Sequence, residues 1–156
     1  MYKLKKILAP TDFSQLSLIG VRRALEMAQP SGAEVIVYHV IAVGDNWFAT
    51  YEELNPARAL LETEIGRLER FVKEKLADYC DVVEIRQVVE IGSPPASIVE
   101  KAEREAVDMI VMSTHGRTGI DHMLIGSVTE KVVAHASCPV LTIPRPKRAG
   151  ATAKAA

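Results

Sequence analysis

The sequence predicts an α/β fold in which a single open five-stranded parallel sheet lies between helices on both faces. Five short apolar segments alternate with segments of helical periodicity, a pattern typical of parallel sheets joined by right-handed crossovers. The chain has 156 residues, a length that suits a single domain. Its hydrophobic share of 48% and charged share of 25% are those of a globular protein.

The five predicted strands are residues 4–10, 33–43, 82–91, 107–112 and 139–143. Pro10 stops the first strand. The second strand is a nearly continuous run of β-branched and aromatic residues, which indicates that both of its faces are covered. The third strand is more mixed in composition, so we expect it to have one wetter face or to lie at an edge of the sheet.

Four helices are predicted between these strands. The first and second carry apolar stripes, at Leu18, Val21, Leu25 and Ala28 and from Leu61 to Leu76. Ser93-Pro94 starts the third helix, with serine as the N-cap and proline at the first helical position. Ser127-Val128-Thr129-Glu130 fits a capping box, which predicts Ser127 as the N-cap of a fourth helix that ends before Pro139.

Composition excludes several classes of function. A net charge of -1 is inconsistent with the broad basic field of a general DNA- or RNA-binding domain. Cys80 and Cys138 form neither a CxxC motif nor a Cys/His ligand pattern, so neither a disulfide scaffold nor a structural zinc site is expected. No apolar run approaches the roughly 20 residues of a membrane span, and the run before Pro10 is too short for a signal peptide. We therefore expect a soluble cytoplasmic protein that contacts no membrane.

The C-terminal residues differ in composition from the rest of the chain. Residues 145–156 contain four basic and no acidic side chains and are rich in alanine. We expect one folded domain over residues 1–145 and a disordered basic tail over residues 146–156.

Two loops are candidates for an anion site, because ligands of open α/β sheets bind beyond the carboxyl ends of the strands. Residues 9–14 leave the first strand, and residues 113–119 leave the fourth. Gly116 and Gly119 allow close backbone approach to a ligand, and residues 126–129 form a helix N-terminus with free N–H groups and a positive dipole end. This pattern predicts a phosphate site. The alternative is a tight turn followed by an ordinary capped helix.

Asp12 follows Thr11 at the end of the first predicted strand and has two possible roles. Its carboxylate could bond a ribose hydroxyl or hold a divalent metal near phosphates. Alternatively, Thr11, Asp12 or Ser14 caps the first helix. The chain contains no G-x-x-x-x-G-K-[ST] motif, no G-x-G-x-x-G after the first strand and no G-x-S-x-G elbow, which argues against P-loop, dinucleotide and α/β-hydrolase chemistry.

The sequence resembles the universal stress protein (UspA-like) family from Lys5 to about Arg145. The resemblance rests on KKILAPTDFS, on VIVYHV in the second strand, and on MSTHGRTGIDHMLIGSVTEKV followed by SCPVLTI. Nucleotide-binding members carry G-x-x-G, nine residues, then G-[ST]. Gly116, residues 117–125 and Gly126-Ser127 match that spacing, whereas Ser113 replaces the first glycine of the motif.

The resemblance implies a Rossmann-like sheet with strand order 3-2-1-4-5 and a site for ATP or AMP, with Mg²⁺ or Mn²⁺ accompanying ATP. Asp12 would lie near the ribose or, through the phosphates, near a metal. Arg117 is a candidate cation near the phosphates. The implied nucleotide-binding residues are Pro10, Thr11, Asp12, Val40, Met112, Ser113, Gly116, Arg117, Gly126, Ser127, Val128 and Thr129. The family also implies a homodimer formed through the last strand, at about Val140–Ile143.

The leading interpretation is a regulatory stress-response protein that binds ATP or AMP and passes that state to a protein partner through a dimer. Neither a general base nor a second carboxylate is expected to converge with Asp12, which argues against efficient hydrolysis. One alternative is a slow metal-dependent ATPase or phosphotransfer enzyme. Another is an interaction module whose nucleotide pocket is empty, which would fit Ser113 in place of glycine.

Two further features carry predictions. The aromatic segment Asp45–Tyr51, which contains Trp47, is predicted to be a lid, a partner surface or a locally packed loop. His39 ends a buried strand and is interpreted as a structural histidine with satisfied hydrogen bonds.

Overall fold

The computed structural model describes residues 3–44, 54–115 and 125–146 of the chain. The segment Asp45–Tyr51, the glycines Gly116 and Gly119, and residues 147–156 of the predicted tail lie outside the described residues. So does Arg117.

The described strands and helices alternate, as the sequence predicts. The strands are β1 (Lys6–Pro10), β2 (Glu34–Ala42), β3 (Ile85–Gly92), β4 (Met109–Ser113) and β5 (Val140–Ile143). The helices are α1 (Gln15–Ala28), α2 (Leu54–Lys75), α3 (Pro94–Arg104) and α4 (Ser127–His135), with a short 3-10 turn at Ala77–Tyr79. The predicted strands therefore differ from the observed ones only at their ends.

All strand pairs are parallel, and the order across the sheet is β3-β2-β1-β4-β5. This confirms the five-stranded α/β fold and the strand order that the resemblance implied. The third strand lies at an edge and is only partly buried, as its mixed composition indicated. The order reverses between β1 and β4, so the loops that follow these two strands diverge from the same edge of the sheet. Such a switch point is where open α/β sheets bind ligands.

Two hydrophobic layers enclose the sheet. Alternate residues of the strands, such as Ile7 and Val35, pack with the apolar stripes of α1 and α2 on one face. The intervening residues, such as Leu8 and Ile36, pack with α3 and α4 on the other face. All four of these strand side chains are fully buried, which explains why β1 and β2 lack the polar alternation of a half-exposed strand.

The helix starts follow the sequence signals with one correction. Ser14 caps α1, and its hydroxyl accepts a hydrogen bond from the Ser17 amide at 3.1 Å. Ser93 is the N-cap residue of α3, as predicted, but its side chain makes no capping bond. The prediction that Ser127 caps α4 is wrong. Gly126 is the extended N-cap residue, and Ser127 is the first helical residue.

Candidate functional site

A cavity of about 440 Å³ opens at the carboxyl ends of β1, β2 and β4, where the strand order reverses. Its volume lies in the range of about 300–1,000 Å³ that is usual for small-molecule sites. Its described lining residues are Pro10, Thr11, Asp12, Ser17, Tyr38, His39, Val40, Ile41, Ala42, Glu64, Arg67, Pro94, Ile98, Met112, Ser113, His115, Gly126, Ser127, Val128 and Thr129.

The loop between β1 and α1 forms one wall of the cavity and is held by its own polar groups. The Thr11 amide donates to the carbonyl of Tyr38 at 2.8 Å, and the Thr11 hydroxyl lies 3.0 Å from that of Ser17. The Asp12 carboxylate accepts a hydrogen bond from the Ser14 amide at 3.0 Å. Asp12 therefore lines the cavity and also supports the turn into α1, while Ser14 supplies the helix cap.

The end of β4 and the start of α4 form the opposite wall. The buried Thr129 hydroxyl donates to the carbonyl of Ser113 at 2.9 Å, which ties the first turn of α4 to β4. The Ser113 hydroxyl donates to the carbonyl of His115 at 2.7 Å. The Gly126 amide donates to the carbonyl of Thr114 at 2.6 Å. These bonds fix the N-terminus of α4 against the cavity, where its first amides and dipole favour an anion.

The floor of the cavity is apolar on the side of α3 and α4. Val40 and Met112 are buried there, and Ile98 lies beside them. Tyr38 adds an aromatic ring whose hydroxyl donates to Glu90 at 2.6 Å. Burial, together with that hydrogen bond to an anion, raises the pKa of Tyr38 above its ordinary range. The Tyr38 phenol is therefore a neutral part of this floor.

Glu90, which accepts the hydrogen bond from Tyr38 below the cavity floor, is stabilised as an anion. Burial alone would raise the pKa of Glu90, but hydrogen bonds from Tyr38 and from Lys101, 2.9 Å away, lower the pKa below its usual value. The charge of Arg104, also bonded to Glu90, acts in the same direction. This network braces β2 and β3 against α3 below the cavity.

Helix α2 supplies a third wall that the sequence did not reveal. Glu64 and Arg67 line the cavity, and their side chains approach to 3.5 Å. His39 Nε2 lies 3.5 Å from the same Glu64 carboxylate, and His39 Nδ1 lies 2.8 Å from the carbonyl oxygen of Thr11. Because a carbonyl only accepts, Nδ1 is the donor in that bond. The structural role predicted for His39 is confirmed, and the residue also lines the cavity.

The structure brings the predicted site residues together. Every one that lies within the described residues lines this cavity: Pro10, Thr11, Asp12, Val40, Met112, Ser113, Gly126, Ser127, Val128 and Thr129. The expectation that Asp12 shares its site with no second carboxylate is wrong, because Glu64 lines the same cavity. Gly116 and Arg117 lie outside the described residues. Contact with a nucleotide remains a prediction for all twelve.

The described side chains of the cavity wall include more acidic than basic groups. Among the described lining residues, Arg67 is the only lysine or arginine, and Asp12 and Glu64 are the acids. An anion at this wall would therefore interact with backbone amides and the α4 dipole more than with basic side chains. Within the described parts of the chain, no group of three His, Cys, Asp or Glu side chains is arranged to hold a metal ion. A metal near Asp12 remains a prediction.

The profile of the universal stress protein family matches residues 3–144. The chain belongs to this family. Universal stress protein MJ0531 of Methanocaldococcus jannaschii is 36% identical over 144 residues, which cover 92% of this chain and 84% of that protein. Universal stress protein MJ0577 of the same organism is 32% identical over 154 residues, which cover 90% and 95% of the two chains.

Solved structures of this family share the fold. A structure of MJ0577 superposes with a TM-score of 0.77 at 33% identity and covers 94% of this chain and 99% of its own. A universal stress protein family protein from Arabidopsis thaliana, solved with AMP bound, has a TM-score of 0.62 at 17% identity and covers 92% and 93% of the two chains. At that identity, the second likeness shows the fold alone. No helix in residues 3–44, 54–115 or 125–146 has the length and apolar character needed to cross a bilayer.

Proposed function

We propose that this member of the universal stress protein family is a regulatory protein that binds ATP or AMP at the switch-point cavity. The observation that carries the proposal is the convergence of Asp12 and the N-terminus of α4 on one cavity with an apolar floor. An adenine nucleotide needs these three environments: an acceptor for ribose hydroxyls, amide donors for phosphate, and apolar surface for the base.

Structures of the same fold support the choice of ligand class. The Arabidopsis thaliana protein was solved with AMP, and another universal stress protein, 24% identical to this chain, was solved in complex with cAMP. These distant likenesses show what the fold can hold. The assignment to this chain rests on its own cavity.

The surroundings of Glu64, the second carboxylate of the cavity, favour regulation over ATP hydrolysis. Glu64 faces His39 and Arg67, each at 3.5 Å, so its charge is engaged by neighbouring cationic or hydrogen-bonding groups. A general base needs a carboxylate directed at the attacking water. The slow metal-dependent ATPase remains the alternative, and the presence of Glu64 is the observation that favours it. An empty-pocket interaction module is the other alternative, and the binding experiment below also tests it.

Binding is tested by calorimetry with ATP, ADP and AMP, with and without Mg²⁺ or Mn²⁺. Asp12→Asn should weaken binding about 10- to 100-fold, because a hydrogen bond to a charged acceptor contributes about 1.5–3 kcal/mol. The matched control is Asp81→Asn, an exposed position outside the cavity that should leave affinity unchanged. No retention of any nucleotide at millimolar concentration would refute the proposal and favour the interaction module.

Gly126→Ala tests the phosphate end of the site. A methyl group at this position would lie 3.1 Å from the carbonyl oxygen of Thr114, which the Gly126 amide already holds at 2.6 Å. The start of α4 must therefore shift by a few tenths of an ångström. We expect ATP to lose about 3- to 10-fold in affinity while adenosine loses less, since only the phosphates use these amides.

Hydrolysis of labelled ATP in a single-turnover experiment separates regulation from catalysis. We expect no turnover that depends on Asp12 or Glu64. Robust metal-dependent hydrolysis that disappears in Asp12→Asn or Glu64→Gln would favour the ATPase instead.

The proposal includes a homodimer formed through β5 that responds to nucleotide. β5 is an edge strand of the described sheet, and its residues are partly exposed, so one side of its backbone is placed to pair with another strand. Light scattering after size-exclusion chromatography should give twice the monomer mass, more completely with ATP present. A monomer under both conditions would refute this part of the proposal.

A further inference from the structure

Phe13 has a backbone conformation that is uncommon for its residue type. Its φ angle is +65°, in the left-handed region that favours glycine, and it directly follows Asp12 in the loop between β1 and α1. A bulky residue in this region is strained and persists only where its surroundings hold it there. The neighbours of Phe13 therefore identify what fixes the Asp12 turn.

The ring of Phe13 is held by three side chains from β2 and α2. Its centroid lies 4.3 Å from that of His39 and 5.5 Å from that of Phe71, the latter edge-on. The Arg67 guanidinium lies 4.3 Å above the ring, a cation–π contact. We call Phe13, His39, Arg67 and Phe71 the Phe13 clamp.

The Phe13 clamp also holds Thr11, the residue before Asp12. His39 Nδ1 bonds the carbonyl of Thr11 at 2.8 Å, so one imidazole fixes the residue before Asp12 and stacks on the residue after it. The Phe13 amide donates to the Thr11 hydroxyl at 3.1 Å, which closes the turn around the carboxylate. Asp12 thus sits between two anchored residues, and its direction depends on both anchors.

We propose that Phe13, His39 and Arg67 are positioning residues for ribose recognition, which hold the left-handed turn that directs Asp12 into the cavity. This inference rests on the proposed nucleotide site. Arg67 links the two regions physically, because it lines the cavity and also stacks on Phe13 in a smaller groove between the loop and α2. Helix α2 thereby acts on the ribose end of the site without having to touch the ribose.

Phe13→Gly is the decisive variant. Glycine adopts φ +65° without steric cost, so this change removes the clamped ring while leaving the turn accessible. The measured quantity is the ratio of affinities for ATP and for 2′-deoxy-ATP or 3′-deoxy-ATP. We expect a ratio of about 10 or more for the wild type with at least one analogue. The ratio should fall below about 3 in Phe13→Gly and recover in Phe13→Tyr, which restores a ring.

A double-mutant cycle shows whether Phe13 acts through Asp12. Asp12→Asn should also remove the discrimination, and Asp12→Asn combined with Phe13→Gly should be no worse at the ribose than Asp12→Asn alone. Arg67→Met, which keeps much of the chain length but removes the cation, should lower the ratio in the same direction. Tyr79→Ala is the control: it removes a partly buried aromatic from the same hydrophobic layer, outside the cavity lining, and should leave the ratio unchanged.

A measurement without nucleotide follows the turn itself. The Ser14 amide donates to the Asp12 carboxylate, so its hydrogen exchange reports whether that carboxylate is held in place. Exchange should be about 10-fold faster in Phe13→Gly than in the wild type and Phe13→Tyr, and unchanged in Tyr79→Ala.

The outcomes distinguish this inference from the proposed function. If the wild type binds no adenine nucleotide, the proposed function fails and ribose positioning fails with it. If the wild type discriminates at the ribose through Asp12 but Phe13→Gly retains both that discrimination and slow Ser14 exchange, only the positioning role is overturned. A ratio in the wild type that does not depend on Asp12 would also overturn it.

Discussion

Gly20 and Gly66 offer a matched test of how α1 is packed against the sheet. Both glycines lie inside helices, Gly20 in α1 and Gly66 in α2. A methyl group added at Gly20 would lie 2.9 Å from the backbone nitrogen of Ser113 and 3.2 Å from the carbonyl carbon of Met112. At Gly66 it would meet nothing within 4 Å. The perturbation is Gly20→Ala, with Gly66→Ala as its control.

The expected magnitude follows from two opposing effects. Alanine is better than glycine in a helix interior by about 0.8–1.0 kcal/mol, and both variants gain this amount. Gly20→Ala also overpacks a close contact, which costs about 1–3 kcal/mol, and the upper part of that range applies because backbone atoms cannot rotate away. We expect Gly66→Ala to stabilise the protein by about 1 kcal/mol and Gly20→Ala to destabilise it by about 1–2 kcal/mol.

Urea denaturation of the two variants and the wild type measures this difference. If Gly20→Ala proved as stabilising as Gly66→Ala, the close approach of α1 to the end of β4 would be refuted. A second readout is nucleotide affinity: the contacted residues, Met112 and Ser113, line the cavity, so Gly20→Ala should also weaken ATP binding, whereas Gly66→Ala should not.

Two further predictions concern polar side chains. Thr129→Val removes the donor to the buried carbonyl of Ser113 and should lower the free energy of unfolding by about 1–2 kcal/mol, whereas Thr63→Val on the exposed face of α2 should change it by less than about 0.5 kcal/mol. Equal effects of the two changes in thermal denaturation would contradict this. Hydrogen bonds from Arg86 lower the pKa of Glu105 to about 2, so this carboxylate stabilises the fold above its unfolded pKa, near 4.5, and loses that contribution as the pH falls towards 2. Glu105→Gln should therefore be less stable than the wild type by about 1–2 kcal/mol at pH 7, a range kept small because solvent partly screens the half-exposed Arg86. The difference in the free energy of unfolding should vanish near pH 2. A difference that stays constant across an acid titration would exclude the Arg86–Glu105 pair as its source.

The fold could be predicted from the sequence because local signals agreed with the tertiary structure. Pro10 ends β1 where the strand must stop, and the unbroken apolar run of β2 indicates burial on both faces. The start of α4 did not follow its local sequence signal. Serine is a preferred N-cap residue, yet Gly126 takes that place instead of Ser127: its backbone is extended, and its amide donates to the carbonyl of Thr114 at the end of β4. That contact joins residues that are not neighbours in the sequence and has no local sequence signal.

The candidate site was predictable where topology alone brings residues together. The family resemblance implied the strand order, and in a sheet of that order the loops after β1 and β4 diverge at the same edge, so Asp12 and Gly126 could be assigned to one site in advance. Glu64 and Arg67 could not. They flank the apolar stripe of a long amphipathic helix, where charged residues normally face solvent, and only the placement of α2 over β2 turns them towards the cavity.

Phe13 belongs to the part of the candidate site that the sequence did not predict, and we propose that this part adjusts the direction of Asp12. In the sequence, a phenylalanine between Asp12 and Ser14 indicates only one more apolar residue at a helix start. In the structure its left-handed backbone is a local cost that contacts from α2 and β2 must offset. A conformation maintained in this way depends on residues remote in the sequence, so we expect changes in α2 to alter the proposed ribose recognition while the β1 and β4 motifs stay the same. Family members with identical loop motifs should therefore differ in ribose selectivity according to the residue at the position of Arg67.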